Sequence, residues 1–263
     1  MTPMFFGASE SPLFGLLHEP EGEAKGHGVL LCPPGGQEHV RTHWAFRQLA
    51  LALSRAGFPC FRFDWSGVGD SSGDLRTATL ARWKDDAIQA AQELRDAAGV
   101  RKVSVVGLRL GGAVAALAAA QIKPTCLVLW DPVLVGSRYL ADQRRIQREL
   151  LASDRRYWRP KAREPRPTEI LGFEVGEELL AEIEQIEMAS VARLPKVRVC
   201  LLRSSLSTEL LELGELLRAR KLEVELHTTE MWAQWSSAAE IEELLLPADS
   251  VRKITDYLGR RAT

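Results

Sequence analysis

Short apolar runs alternate with longer amphipathic segments along most of the chain, and this pattern predicts strands and helices in turn. An initial hairpin is expected over 4–20, with its turn at 9–12. The next run, at 26–34, is almost unbroken, as expected of a strand buried on both faces of a parallel sheet. Further strands are predicted at 58–65, 102–108, 126–132, 197–204 and 222–229.

The segments between these strands carry apolar residues at helical spacing. Thr42 is expected to cap a helix that starts at His43 and stops before Gly57. The other helices are predicted over 79–98, 110–121, 207–220 and 247–260. Strands alternating with helices indicate an α/β fold, with a mostly parallel central sheet and helices on both faces.

The alternation stops between residues 137 and 192, where no strand is predicted. This segment is too long for a loop, so we expect a helical lid over the carboxyl ends of the strands. The core would then comprise 1–136 and 193–263. Basic residues dominate the first half of the lid and acidic residues the second. They form either helix faces that pair with each other or a basic rim that attracts an anionic ligand.

Composition and charge predict a globular protein without a nucleic-acid or membrane partner. The net charge of −1 gives no general attraction to either surface. No apolar run reaches the roughly 18 residues of a membrane span, and the start lacks the features of a secretory signal. The four cysteines lie in apolar runs without metal-ligand spacing. We therefore expect reduced thiols, a cytoplasmic protein and no metal or other cofactor.

The stretch VVGLRLGGAVAALAAA, at 105–120, predicts a strand, a sharp turn and a helix. A strand, Gly-x-Ser-x-Gly and a helix form the nucleophile elbow of a serine hydrolase. Here the turn reads Gly-Leu-Arg-Leu-Gly, so Arg109 stands where the serine is expected. A guanidinium stays protonated at ordinary pH and has no lone pair with which to attack a carbonyl carbon.

The other two positions of a catalytic triad also depart from the pattern. The strand after the lid is followed by no carboxylate before Glu209, and Asp131, one strand earlier, is the acid that fits best. No histidine follows His227, which belongs to the last predicted strand. Ordinary serine hydrolysis is therefore not expected, because the three residues act as a unit.

Three stretches carry a family resemblance: 31–74, which begins LCPPGGQ, the elbow VVGLRLGGAVA, and LVLWDPVLVGSRYL at 127–140. Together they resemble the serine-aminopeptidase-like branch of the α/β-hydrolase superfamily, and are similar to the exosortase-A-system-associated hydrolases of the second type. The resemblance implies an α/β-hydrolase fold in which Gly-Leu-Arg-Leu-Gly is a recurring form of the elbow. It also implies that the glycine-rich stretch at 67–73 is a structural turn and not a dinucleotide loop.

Two roles are open for the side chain of Arg109. It either plugs the old pocket by pairing with Asp131 or Asp64, or it forms a receptor for a carboxylate or phosphate with nearby main-chain N–H groups. The tryptophans, Trp235 included, either line an aromatic pocket or pack in the core and lid. The expected ligand-binding residues are Arg109, Leu110, Gly36, Gln37, Glu38, Arg41, Trp130 and Trp232.

Three functions follow from these residues. The first is a pseudo-hydrolase that binds a small anionic or acyl ligand, or a partner, in the old cleft. The second is an enzyme acting on an ester, thioester or amide, in which Asp131, His43 or Asp64 is the general base and Arg109 stabilises an oxyanion. The third is an interaction module whose charged lid docks to a protein partner or to a second copy of the chain.

Overall fold

The computed structural model describes residues 1–152, 166–204, 208–229, 235, 237 and 248–261 of the chain. In chain order the strands are β1 (Thr2–Phe6), β2 (Leu13–His18), β3 (His27–Cys32), β4 (Cys60–Phe63), β5 (Lys102–Leu108), β6 (Cys126–Trp130), β7 (Glu169–Ile170), β8 (Phe173–Glu174), β9 (Arg198–Arg203) and β10 (Val224–Thr228). The helices are α1 (Gly36–Arg55), α2 (Leu80–Ala98), α3 (Leu110–Ile122), α4 (Gly136–Ala152), α5 (Glu177–Glu184), α6 (Met188–Val191), α7 (Glu209–Ala219) and α8 (Ala248–Arg261).

Eight of the strands form one sheet in the order β1-β2-β4-β3-β5-β6-β9-β10. The hairpin β1–β2 and the pair β2–β4 are antiparallel, and all other pairs are parallel. The predicted α/β fold with a mostly parallel sheet is confirmed. Because β3, β5 and β6 are parallel neighbours, their carboxyl ends bring the loops after them to one edge of the sheet.

Helices cover both faces of the sheet, and each face has its own apolar cluster. On one face, Leu94 of α2 and Val114 of α3 pack with Val105 of β5. On the other face, Leu49 of α1 and Tyr257 of α8 join a second buried cluster. The strands between the two clusters are therefore buried on both sides, which explains their unbroken apolar runs.

The first helix begins earlier than the sequence pattern predicts. It starts at Gly36, directly after Pro33 and Pro34 end β3, and not at His43. Thr42 is consequently an interior residue, and its hydroxyl donates to the Glu38 carbonyl oxygen at 2.7 Å instead of capping the helix. The residues from Gly36 to Thr42, expected to form a loop, belong to the first two turns of α1.

The segment between β6 and β9 also differs from the expectation in one respect. Besides helices it contains the two-residue strands β7 and β8, which pair as an antiparallel hairpin. Its charged halves contact each other where Arg166 lies 3.3 Å from Glu174, whereas Arg138 pairs with Glu209 of α7. Five of its predicted basic residues fall at 153–165, outside the described residues.

No helix in the described ranges is both long and apolar enough to cross a membrane.

Candidate functional site

The turn between β5 and α3 is held by close backbone contacts at its glycines. A Cβ on Gly107 would lie 2.6 Å from the Gly112 Cα, and one on Gly111 would collide with the carbonyl oxygens of Pro33 and Cys32. Between these glycines, Arg109 has φ 53° and ψ −121°, a backbone conformation that L-residues rarely adopt. The sharp bend that positions a nucleophile in serine hydrolases is thus present, with an arginine at its tip.

The side chain of Arg109 makes two hydrogen bonds and lies against two aromatic rings. Its Nε donates to Oε1 of Glu38 at 3.0 Å, and its Nη1 donates to the main-chain oxygen of Asp131 at 3.3 Å. The guanidinium carbon lies 5.6 Å from the ring centre of Tyr139 and 5.1 Å from that of Trp235. Only 16% of the side chain is exposed, so the guanidinium is largely enclosed by these contacts.

Glu38 provides the carboxylate that forms the ion pair with Arg109. Because α1 starts at Gly36, Glu38 lies in its first turn, where the helix dipole favours a negative charge. Its side chain is 1% exposed, and it also faces Tyr139 Oη and Gln143 Nε2 of α4, each at 3.4 Å. Burial raises the pKa of the Glu38 carboxyl, while the charge of Arg109 opposes that shift.

The arginine itself remains charged. Burial acts to lower the pKa of Arg109, but the attraction of Glu38 and of neighbouring groups outweighs it and raises the pKa above its ordinary value. The predicted pairing of Arg109 with the carboxylate of Asp131 or Asp64 is wrong: the side-chain partner is Glu38, and Asp131 contributes its main-chain oxygen. Glu38 was predicted to be a ligand-binding residue, but not the partner of Arg109. The reason is that α1 was predicted to start at His43, so Glu38 was not placed in its first turn.

Asp131, the predicted acid, is held by other side chains. Its Oδ1 accepts the Ser204 N–H at 3.1 Å, and its Oδ2 accepts the Ser204 hydroxyl at 2.5 Å and the Trp235 indole N–H at 2.8 Å. The Ser204 oxygen in turn accepts the N–H of Trp130 at 2.8 Å. Both carboxylate oxygens therefore accept hydrogen bonds, and the residue is 4% exposed.

Trp235 was not predicted as a site residue in its own right. It lies after β10, where a triad histidine is expected, and its bond to Asp131 is of the kind that such a histidine makes to its acid. An indole N–H can only donate, so it cannot take a proton from another group. The sequence has no histidine after β10 but does have tryptophans there, and this combination was the signal that could have identified Trp235.

The remaining predicted binding residues are of two kinds: residues at the starts of α1 and α3, and the side chain of Arg41. Gly36 and Gln37 open α1 and Leu110 opens α3, so their N–H groups belong to first turns, which lack intrahelical acceptors. The two helix starts are close, since a Cβ on Gly35 would lie 3.6 Å from a Leu110 methyl carbon. Arg41 is 4% exposed, with its guanidinium 5.4 Å from the Trp235 ring centre.

Of the two aromatic candidates, one is buried and the other lies outside the described residues. Trp130 is fully buried in the cluster beneath α1 and α8, where its N–H supports Ser204. Trp232 lies outside the described residues. His227 is also away from the elbow contacts, with Nε2 3.3 Å from Glu225 Oε2 and its ring 6.2 Å from Tyr257.

The two other candidate bases lie away from the contacts of Arg109. Asp64 and His43 both line a space beside α1, and Arg109 is not among its lining residues. There His39 Nε2 lies 3.8 Å from Asp64 Oδ1, and His43 is exposed with its ring 6.4 Å from that of His39. In the described part of the chain, no group of three or more histidine, cysteine or carboxylate side chains is placed to hold a metal ion.

Comparison with known proteins identifies the family to which this fold and turn belong. A model of the alpha/beta hydrolase family matches residues 29–249. The human mitochondrial palmitoyl-protein thioesterase ABHD10 is 36% identical over 86 residues, which are 33% of this chain but only 25% of that protein's length. The matching protein from Pongo abelii is 39% identical over 56 residues, or 21% of this chain and 17% of that protein.

Solved structures give the same fold at low sequence identity. Est1E from Butyrivibrio proteoclasticus, bound to ferulic acid, superposes with a TM-score of 0.68 at 16% identity, over 98% of both chains. The mouse alpha/beta hydrolase domain-containing protein 10 superposes with a TM-score of 0.56 at 18% identity, over 99% of both chains. Since the family model spans most of its length, the chain belongs to the alpha/beta hydrolase family.

Proposed function

We propose that this chain is a pseudo-hydrolase that binds a small acyl ligand carrying an anionic group in the cleft at the elbow. The observation that carries the proposal is the Arg109–Glu38 pair at the tip of the bend, 3.0 Å apart and largely buried. In this proposal the fold of a serine hydrolase has lost triad catalysis but binds an anionic ligand through Arg109.

The lack of serine-hydrolase chemistry is supported by all three triad positions. Arg109 holds its proton, and the indole of Trp235 donates without accepting. Asp131 accepts three hydrogen bonds and has no neighbouring imidazole to orient among the described residues. A triad needs a nucleophile and a base in contact, and neither is present in these three side chains.

Binding is supported by the groups that remain around the pair. The starts of α1 and α3 bring the N–H groups of Gln37 and Leu110 to the same region, where they would form an oxyanion hole in a hydrolase. Arg41 adds a second guanidinium against Trp235. The guanidinium groups of Arg109 and Arg41 therefore share this region with the carboxylates of Glu38 and Asp131. Because Arg109 is already paired with Glu38, an anionic ligand would compete with Glu38 for it.

The acyl part of the proposal draws on the relative and on α4. ABHD10 is named a palmitoyl-protein thioesterase, which suggests a ligand with an acyl group for this chain as well. Helix α4 contributes Tyr139 and Gln143 to the contacts of Glu38. This supports the interpretation of 137–192 as a lid over the cleft.

The test uses monomethyl succinate, which has an ester and a carboxylate, and its uncharged counterpart dimethyl succinate. We expect calorimetric binding of the monoester without release of methanol, and binding at least tenfold weaker for the diester. Arg109→Met should remove the preference for the charged compound, whereas Arg145→Met, on the exposed side of α4, should keep it.

Two results would overturn the proposal. Methanol release that is lost in Asp131→Asn would establish catalysis by the second hypothesis, in which this carboxylate is the general base. Equal binding of the monoester to the wild type and to Arg109→Met, or no binding to either, would exclude Arg109 as an anion receptor and leave it as a structural plug.

A further inference from the structure

The cavity lined by Asp64 and His43 lies beside the start of α1, at the ends of β3 and β4 and against β2. Its volume is about 140 Å³. Phe14, Leu16, Phe46 and Phe63 form its apolar wall, and Arg62, His39, His43 and Asp64 contribute polar groups. We call it the Arg62 cavity. Arg109 and Asp131 do not line it, so a ligand there would be separate from one at the elbow.

Arg62 is the unusual residue of this wall. It lies on β4, is 8% exposed, and donates from Nε to Nε2 of His18 at 3.2 Å. Burial and the charge of Arg62 lower the pKa of His18 to about 4, so the imidazole is neutral and can accept this bond. Among the residues that the structure describes, Arg62 has no ion pair and no second hydrogen-bond acceptor.

A buried guanidinium without a carboxylate is costly, because it has left water and gained no opposite charge in contact. The guanidinium has five N–H donors, of which His18 accepts one. The Asp64 carboxylate attracts Arg62 electrostatically, but no hydrogen bond joins the two. The unused donors line a cavity that has room for an acceptor.

The other polar groups of the wall already have partners or face outward. Asp64 accepts the Asp70 N–H at 3.1 Å and lies 3.8 Å from His39 Nε2. The Nδ1 atom of His39 is buried without a hydrogen-bond partner, and burial lowers the pKa of the ring although the charge of Asp64 opposes that shift. His43 and Asp70 are exposed, so water screens them.

We propose that the Arg62 cavity binds a small apolar monocarboxylate of about the size of benzoate. The carboxylate would pair with the free N–H groups of Arg62, and the apolar body would lie against Phe14, Phe46 and Phe63. The volume fits this size, since an apolar cavity of about 150 Å³ is large enough to hold benzene. A planar carboxylate also matches the fork of donors that a guanidinium presents.

The experiment compares three probes of equal size that differ in their polar group: benzoate, benzyl alcohol and benzylamine. We expect benzoate to bind the full chain, with at least tenfold weaker binding of the alcohol and no measurable binding of the amine. Arg62→Met should weaken benzoate at least tenfold. Arg55→Met is the matched control, because that arginine is 67% exposed at the end of α1 and should leave benzoate binding unchanged.

A second variant keeps the test valid if Arg62→Met fails to fold. Phe46→Trp adds bulk to the apolar wall from α1, leaves Arg62 itself in place on β4, and should abolish benzoate binding. In the wild type, benzoate should also move the NMR titration of His18 upward from about 4, because it neutralises the adjacent charge of Arg62.

Three outcomes would overturn the proposal: no binding of benzoate, equal affinities for benzoate and benzyl alcohol, or tighter binding of benzylamine, which would assign the cavity to Asp64. Arg109→Met should leave benzoate binding unchanged. If that variant abolished it, benzoate would be at the elbow and the inference would fail while the proposed function stood.

Discussion

Removal of the guanidinium at the elbow is predicted to destabilise the protein in a manner that depends on pH. Arg109→Met keeps the length of the side chain but leaves Glu38 buried with two hydrogen bonds of 3.4 Å, from Tyr139 and Gln143. Breaking one side of a buried ion pair typically costs about 3–5 kcal/mol. Because 16% of Arg109 is exposed, we expect a value near the lower limit, about 3 kcal/mol at pH 7.5.

The sign of the pH dependence follows from the carboxyl that is left behind. Burial raises the pKa of Glu38 in the folded chain, and loss of Arg109 removes the larger of two charges that oppose this shift, the other being that of Arg41. The folded variant therefore binds the Glu38 proton more tightly than the unfolded chain does. Its free energy of unfolding falls as the pH rises above the ordinary glutamate pKa of about 4.3. The difference from the wild type should be smallest near pH 5 and largest near pH 8.

Urea denaturation followed by the fluorescence of the seven tryptophans measures these free energies. In the double variant Glu38→Gln, Arg109→Met the loss should be smaller than the sum of the single losses, because neither charge of the pair is left buried without the other. Arg145→Met is the control and should cost less than about 1 kcal/mol, since its ion pairs are exposed. A cost below 1 kcal/mol for Arg109→Met, or one that does not change with pH, would refute the reasoning.

Two further predictions concern the core. Gly111→Ala should lower the free energy of unfolding in urea by about 3 kcal/mol or more, because the added Cβ would collide with the backbone of Pro33. Gly259→Ala on α8 is the control: its Cβ would meet nothing within 4 Å, so the variant should be neutral or slightly stabilised. Equal effects of the two substitutions would contradict the close approach at the elbow. The four buried cysteines should react with a thiol reagent at pH 8 only after the chain unfolds. The reason is that burial raises the pKa of the thiols of Cys32, Cys60 and Cys200 and so disfavours the reactive thiolate. Rapid labelling of the native chain would contradict this burial.

The order of strands and helices in the core could be predicted from the sequence because each element has a strong apolar period and a clear end. The helix predicted over 79–98, for instance, is α2: the Thr79 hydroxyl caps it by accepting the Arg82 N–H at 3.0 Å, and Gly99 ends it in the left-handed conformation. The start of α1 was misplaced because Thr42 has the chemistry of a cap, whereas the true start follows Pro34 and depends on a glycine at φ 53°. The strands β7 and β8 were missed because two residues carry no period.

The site was harder to predict because its contacts join distant parts of the chain. The Arg109–Glu38 pair spans 71 residues, and the Asp131–Trp235 bond spans 104. The glycines identified the elbow, and the rule that a buried arginine needs a carboxylate identified the kind of partner. Which carboxylate it is depends on how α1 leaves β3, and local patterns do not contain that information.

The glycine contacts at the bend have an evolutionary consequence. Backbone atoms of Gly107, Gly111 and Gly112, packed on each other and on Pro33, determine the shape of this turn, and the side chain at its tip takes no part in those contacts. Selection can therefore exchange the functional group at residue 109 in a single step while the architecture persists. An acyl-transfer centre at this bend would need coordinated changes at Arg109, Glu38 and Trp235, whereas the backbone of the bend itself would need none.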